Sequence, residues 1–222
     1  MSNLLKKLAS KLPLRTQQTL KRLHFGRQIR AGNFASAEPE YVKLSDWVAQ
    51  GDWAIDIGAN VGHYTARLSQ LVGKTGRVLA FEPVPHTFEL LVSNIAALGA
   101  SNVSVLNVAL SSEARTVGMS IPQFDTGLAN NYQAEITAQG GQFDVLAITL
   151  DSLQLPHRVS LIKIDVEGHE LQALRGMQEL LRRDHPRLIV EGTSESVFAF
   201  LQTLNYKFDA IPQSPNRVYF IE

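Results

Sequence analysis

The chain has no cysteine among its 222 residues. That excludes a disulfide framework, thiolate-bound zinc and thiol catalysis. No run of 18 apolar residues occurs, so no membrane-spanning helix is expected. There is no Gly-x-x-x-x-Gly-Lys phosphate loop and no legible Ser–His–Asp arrangement. Acid is absent from the first 30 residues, which hold eight bases: Lys6, Lys7, Lys11, Arg15, Lys21, Arg22, Arg27 and Arg30. Beyond them the balance reverses, with 13 basic residues against 21 acidic ones, a net of −8.

What is present is a globular composition. With 45% hydrophobic residues in one domain-sized length, the chain can bury a full core. The reading is a basic helical arm over residues 1–39 followed by one domain over 40–222. The start of the arm breaks its leucines with lysines and lacks the apolar core of a signal peptide, so a cytoplasmic location is expected. Leu4, Leu8 and Leu12 recur every four residues, Pro13 interrupts, and Thr16 is placed to cap a second short helix carrying Leu20 and Leu23. Two roles follow for residues 1–30: a solvated helix packed on the domain by its leucines, or a helix in peripheral contact with a membrane or partner. Nucleic acid is not expected, because the arm has few aromatics and the body is acidic.

After a loop around Gly32–Pro39, short apolar runs alternate with helical periodicity. Strands are expected at Trp53–Ile57, Arg77–Phe81, Val103–Val108, Val159–Asp165 and Arg187–Glu191, with a closing strand pair at Tyr206–Ile211 and Arg217–Ile221. Helices are expected at Glu40–Ala49, Gly62–Val72, Pro85–Leu98, Glu167–Leu181 and Ser194–Leu204. This is an α/β, doubly wound, Rossmann-like order with a mostly parallel sheet and an antiparallel last strand. Val117–Ile121 and Phe143–Leu150 read as an extra strand pair flanking a long loop, Gln123–Gln142.

The chemistry collects at the carboxyl ends of these strands, where open α/β sheets bind ligands. The first ends in Asp56-Ile57-Gly58-Ala59-Asn60-Val61-Gly62. Gly58 permits a tight turn, and the following helix N-terminus suits the carboxylate of an amino-acid-like cofactor, with Asp56 placed for its ammonium directly or through water. Glu82, twenty residues beyond Gly62 and next to Pro83, can accept both hydroxyls of a ribose and would repel a 2′-phosphate. Asn at 60 and His at 63 depart from Gly-x-Gly-x-x-Gly, so a pyrophosphate cofactor fits poorly. Asn107 is placed to bond an adenine edge, with Val108 and Ala109 beneath the ring. Asp165, Glu167 and Glu191 stand at later strand ends as candidates to orient an acceptor hydroxyl or take its proton, with His63, Tyr64 and His169 near the same rim. Lys163 in a central strand must meet an acid or line the cleft. Acids so placed can also hold a divalent metal, although nothing in the pattern calls for one.

Four blocks, Asp56–Thr65, Val78–Pro83, Asn107–Ser111 and Leu161–Glu170, resemble in content and order the FkbM family of methyltransferases, and the Lys-Ile-Asp-Val-Glu-Gly block is the most distinctive. The resemblance runs from about Trp53 to Glu191. It implies a class I fold with seven strands, S-adenosylmethionine as donor, and O-methylation of a glycan, a lipid-linked saccharide or a small metabolite. It further implies that Asp56, Gly58, Ala59, Asn60, Gly62, Tyr64 and Thr65 hold the methionine portion and Glu82 the ribose. Asn107 to Ala109 then serve the adenine, and Asp165 and Glu167 face the methyl and the acceptor. Gly127-Leu128-Ala129-Asn130 lies where many members carry a Gly-Ser-Ser-Leu-like segment. The alternatives are methyl transfer to nitrogen or a carboxylate, an NAD-linked oxidoreductase, or a non-catalytic binding module.

Overall fold

The computed structural model describes residues 10–127, 129–130, 133–137, 140–192 and 194–222. Leu4 and Leu8 of the expected first helix, and Leu128 of the loop segment, lie outside them. Strands β1 (Trp53–Ile57), β2 (Arg77–Phe81) and β3 (Val103–Leu106) open the main sheet, and β8 (Val159–Ile164) and β9 (Arg187–Glu191) continue it. β10 (Lys207–Ala210) and β11 (Asn216–Phe220) complete it, in the order β10-β11-β9-β8-β1-β2-β3. Every pairing is parallel except those of β11, which runs against both neighbours.

The central strands are buried on both faces because helices cover both. Ile55, Ile57, Leu79, Phe81, Ile162 and Ile164 pack into one core. The alternate residues Ala54, Val78 and Leu161 pack on the other side with Leu68. Alternation also turns Asp56 and Lys163 toward that second side, the side of helix α3.

The helices are α1 (Leu14–Arg30), α2 (Pro39–Trp47), α3 (His63–Val72), α4 (Pro85–Leu98), α5 (Glu170–Arg175), α6 (Gln178–Asp184) and α7 (Glu195–Thr203). Helix α1 corrects the expectation for the arm. It starts directly after Pro13, encloses Thr16 and runs unbroken for 17 residues. It does pack on the domain, but not by its leucines. Gln18, Phe25 and Ile29 face inward, the two apolar ones against Phe34, Val61 and Leu90, while Leu20 and Leu23 are exposed. Phe34 and Glu38, on the arm side of the expected boundary, belong to the packed body. Among the described residues no helix is long and apolar enough to cross a membrane.

A second sheet, ordered β4-β7-β5-β6, is inserted between β3 and β8. β5 (Arg115–Ser120) and β7 (Phe143–Ile148) form the expected pair. β4 (Ala109–Leu110) and β6 (Glu135–Thr137) flank them. The third strand is therefore shorter than expected: after Leu106, Asn107 donates to the carbonyls of Glu82 (2.8 Å) and Pro83 (3.0 Å), and the chain crosses to the second sheet. The helix expected over Glu167–Leu181 is also two helices. Gly176 lies so close to the Ser111 carbonyl that a Cβ would overlap it, which breaks the helix there. Asp151 then caps α6, accepting from the N–H groups of Glu179 (2.9 Å) and Leu180 (3.0 Å).

Candidate active site

One cleft opens at the carboxyl ends of β1, β2 and β8, with the second sheet as its far wall. Its cavity volume is about 160 Å³, and it is partly open to solvent. Gly58 and Asn60 form its floor, Glu82 and Pro83 one end, Val108 and Ala109 a side, and Asp165, Glu167 and Glu191 the other end. The wall carries Met119 on β5 and Ile136 on β6.

The floor is set by backbone geometry. Gly58 has φ +72°, and a Cβ there would overlap the carbonyl oxygen of Asp165. Adjacent to it, the Asp165 N–H donates to the Ile57 carbonyl at 3.1 Å. Gly62, at φ +97°, leaves room for Leu91, whose Cδ1 would stand 2.7 Å from a Cβ.

Glu82 is almost wholly buried. It accepts from the N–H of Asn60 and of Val84, each at 2.9 Å, one bond to each oxygen. Burial pushes its pKa up to about 7, against the pull of those two donors. Each carboxylate oxygen accepts more than one bond, so both keep capacity for a further donor.

Behind the floor lies a buried charge cluster. Lys163 donates to Asp165 at 2.8 Å and to the Gly58 carbonyl at 3.1 Å, with Asp56 at 3.9 Å. Burial disfavours the ammonium, but Asp165 and Asp56 outweigh it and raise its pKa. Burial likewise opposes the Asp165 carboxylate, yet Lys163 and a hydrogen bond from Glu191 bring its pKa down. Asp56 lies farther from the ammonium and is fully buried; burial raises its pKa even though Thr65 donates to it at 2.5 Å.

Asp165, Glu167 and Glu191 each bring a carboxylate oxygen within 4.8 Å of the others. The hydrogen bond shared with Asp165, then burial and the neighbouring acids, push the Glu191 pKa up to about 9, so this group holds a proton at neutral pH. Burial and the charges of Asp165, Glu170 and Glu135 raise Glu167 as well. The set is less suited to a divalent cation than its oxygens suggest. Lys163 already meets the charge of Asp165, and Glu191 carries a proton.

The remaining sequence candidates divide clearly. Ala59, Gly62, Tyr64 and Thr65 stand one layer behind the cleft. Asp56, expected to meet an ammonium directly or through water, does too: it is fully buried, accepts from Thr65 on one oxygen, and has the Lys163 ammonium 3.9 Å from the other. Asn107 spends its side-chain amide on the β2 turn and does not line the cleft, whereas Val108 and Ala109 do. His63 is turned away: its ring packs 4.3 Å from Phe34 and 6.2 Å from Phe25 between ring centroids, and burial lowers its pKa. His169 does line the cleft, with Nε2 3.0 Å from Ser111 Oγ. Burial and Arg115 lower its pKa, so it is neutral at pH 7. Lining groups that went unread in the sequence include Glu38, Met119 and Ile136. For Glu38 the available signal was Glu38-Pro39-Glu40, two acids around a proline at a helix start.

A seven-stranded sheet with the sixth, seventh, fifth, fourth, first, second and third strands side by side and the seventh reversed is the fold of the class I S-adenosylmethionine-dependent methyltransferases. The family model of the methyltransferase FkbM domain matches residues 56–211, and the chain belongs to that family. The hexuronic acid methyltransferase AglP of Haloferax volcanii is 29% identical over 143 residues, 63% of this chain and 55% of that protein. The chain thus spans about half the length of that relative. Among solved structures, a methyltransferase FkbM from Methylobacillus flagellatus matches at a TM-score of 0.57 and 18% identity, over 76% of this chain and 43% of that one. An rRNA methylase from Streptococcus thermophilus matches at a TM-score of 0.50 and 11% identity, over 85% of this chain and 100% of that one. At these identities the structural matches show the fold alone, and methylases of very different acceptors share it.

Proposed function

We propose that the chain transfers a methyl group from S-adenosylmethionine to a hydroxyl oxygen of a saccharide, a lipid-linked saccharide or a small hydroxylated metabolite. The observation that carries this reading is the pairing of one buried strand-end carboxylate, Glu82, with a cluster of three acids across the same cleft. The donor set fits the cofactor: Glu82 for ribose hydroxyls, the Gly58–Asn60 floor for the methionine portion, and Val108 and Ala109 for the adenine ring. Bound S-adenosylmethionine supplies an electrophilic methyl on a sulfonium.

The protein's own part is to position and to move one proton. With the methyl donor bound, the acceptor hydroxyl would give its proton to Glu167, whose raised pKa makes it the strongest base of the three that is not already protonated. Asp165, fixed by Lys163, accepts from Glu191 and keeps that acid oriented toward the acceptor. The cleft offers no lining cation among the described residues, and its several acids disfavour a polyanionic acceptor such as nucleic acid. The name of the relative AglP supports a sugar acceptor.

Titration with S-adenosylhomocysteine tests the cofactor half. Wild type binds it and does not bind NAD, and Glu82→Ala binds it more weakly. A folded wild type that fails to bind would return the non-catalytic reading. Glu167→Gln should lower turnover by roughly 10²–10⁴-fold with cofactor affinity unchanged; unchanged turnover would remove Glu167 from the role.

The arm supports a location at the inner face of a membrane. The side of α1 turned from the domain carries Leu20 and Leu23 beside Arg27 and Arg30, with no acid. Such a face suits anionic lipid, where a lipid-linked acceptor would be met. Vesicles containing phosphatidylglycerol should sediment the wild type but much less of a Leu20→Ser, Leu23→Ser double variant; equal sedimentation would rule the contact out.

A further inference from the structure

Glu38 is not part of the family match, which begins at residue 56. It nevertheless lines the cleft beside Gly58 and Asn60. Its backbone is the N-cap of α2, and that helix is anchored at several points. Leu44 is fully buried, and the Tyr41 hydroxyl donates to the His63 carbonyl at 3.3 Å. Glu40, also fully buried, accepts from the Tyr64 hydroxyl at 3.1 Å and from the side-chain amide of Asn216 on β11. The same Tyr64 hydroxyl lies 2.5 Å from Glu38 Oε2. No hydrogen bond to the other carboxylate oxygen of Glu38 occurs among the described residues. A half-buried acid held this firmly at the edge of a cleft is preorganised for a ligand.

The charges around it indicate which ligand group. An amino-acid end carries its carboxylate and its ammonium on one carbon. If the carboxylate sits at the turn entering α3, the acid that meets the ammonium must stand beside that turn. Asp56 is sealed behind the floor, Asp165 is already paired with the Lys163 ammonium, and Glu82 stands at the opposite, ribose end. Glu167 follows β8 on the side of His169 and the second sheet. Glu38 alone among the lining acids is bonded to a residue of α3, Tyr64, in its first turn. We infer that Glu38, delivered by the segment before the family domain, is the carboxylate that binds the ammonium of the cofactor's methionine portion. This rests on the S-adenosylmethionine reading above. It makes the segment around residue 38 part of the cofactor site.

The test compares S-adenosylhomocysteine with its deamino analogue, adenosyl thiobutyrate, which keeps the carboxylate and lacks the ammonium. Affinities are measured by calorimetry for the full-length wild type, Glu38→Gln and Glu38→Asp, with thermal melting as the folding control. A charge-assisted hydrogen bond predicts that wild type prefers S-adenosylhomocysteine by roughly 10- to 100-fold. Glu38→Gln should bind the two ligands almost equally, and Glu38→Asp should fall between. A Glu38→Gln protein that keeps the full preference, or loses affinity for both ligands by the same factor, overturns the assignment. If the Gln variant does not fold, the Asp variant decides by the same comparison. Wild type that binds neither ligand defeats the cofactor reading itself, a result distinct from either of these.

Discussion

Replacing Lys163 with Met is the perturbation whose size follows most directly from the structure. The ammonium is nearly inaccessible, 2.8 Å from Asp165 and 3.9 Å from Asp56, and it donates to the Gly58 carbonyl. Methionine fills similar volume but leaves the buried Asp56 and the half-buried Asp165 without a counter-charge. Removing one partner of a buried pair costs about 3–5 kcal/mol. For a chain of this size each kcal/mol moves the melting temperature by about 2–4 °C, so a fall of roughly 6–20 °C is expected at neutral pH. The sign of its pH dependence separates this account from a simple packing defect. In wild type the Asp165 pKa is held down by Lys163, so its charge contributes stability at neutral pH that is lost as the pH falls through that lowered value. In the variant Asp165 joins Asp56 with a raised pKa. Its folded state then takes up protons before the unfolded state does, and it gains stability as the pH falls toward the ordinary carboxylate range. The gap between the two proteins should be widest near pH 7.5 and narrow toward about pH 4.5 when followed by circular dichroism melts. A gap that stays constant across that range would refute the charge argument and leave only lost packing.

Two further outcomes are expected. Glu191 holds a proton up to about pH 9 in the folded protein, whereas the unfolded chain releases it near the ordinary value. Wild-type stability should therefore decline as the pH rises from about 5 to 9, and Glu191→Gln, which carries no titrating proton, should flatten that decline in melting experiments. Gly58→Ala places a Cβ against the Asp165 carbonyl at a left-handed φ. It should cost more than about 2 kcal/mol in denaturant unfolding and abolish S-adenosylhomocysteine binding. An alanine variant with wild-type stability and affinity would show that the floor is not as rigid as its contacts indicate.

Much of the main sheet was legible because buried parallel strands read as short apolar runs. Trp53–Ile57, Arg77–Phe81 and Arg187–Glu191 have the expected bounds. What escaped was decided by contacts distant in sequence. β4 and β6 are two and three residues long, too short to show a period. The break after Arg175 comes from Ser111, more than 60 residues earlier. The positions of Asp56 and Asn107 at strand ends and of His63 at the start of α3 were readable, but not whether each side chain faces the cleft. Pairing settles that: Thr65 and Lys163 claim Asp56, the β2 turn claims Asn107, and Phe34 with Phe25 claims His63. Glu38 was hidden for the opposite reason, since no spacing rule connects residue 38 to a turn that begins at residue 58.

The contact between Gly58 and the Asp165 carbonyl has a consequence for how such a protein can diversify. With the floor and the acid-bearing strand end locked backbone to backbone, the distance between the cleft floor and the strand-end acids is cut into the scaffold like the gap of a fixed gauge. Changes that adjust it would have to move two strands at once. Met119 and Ile136 stand on the separate small sheet, outside that lock, where side chains can be exchanged without resetting the gauge. New acceptor shapes are thus most cheaply explored by recutting one wall while the reaction geometry is inherited unchanged.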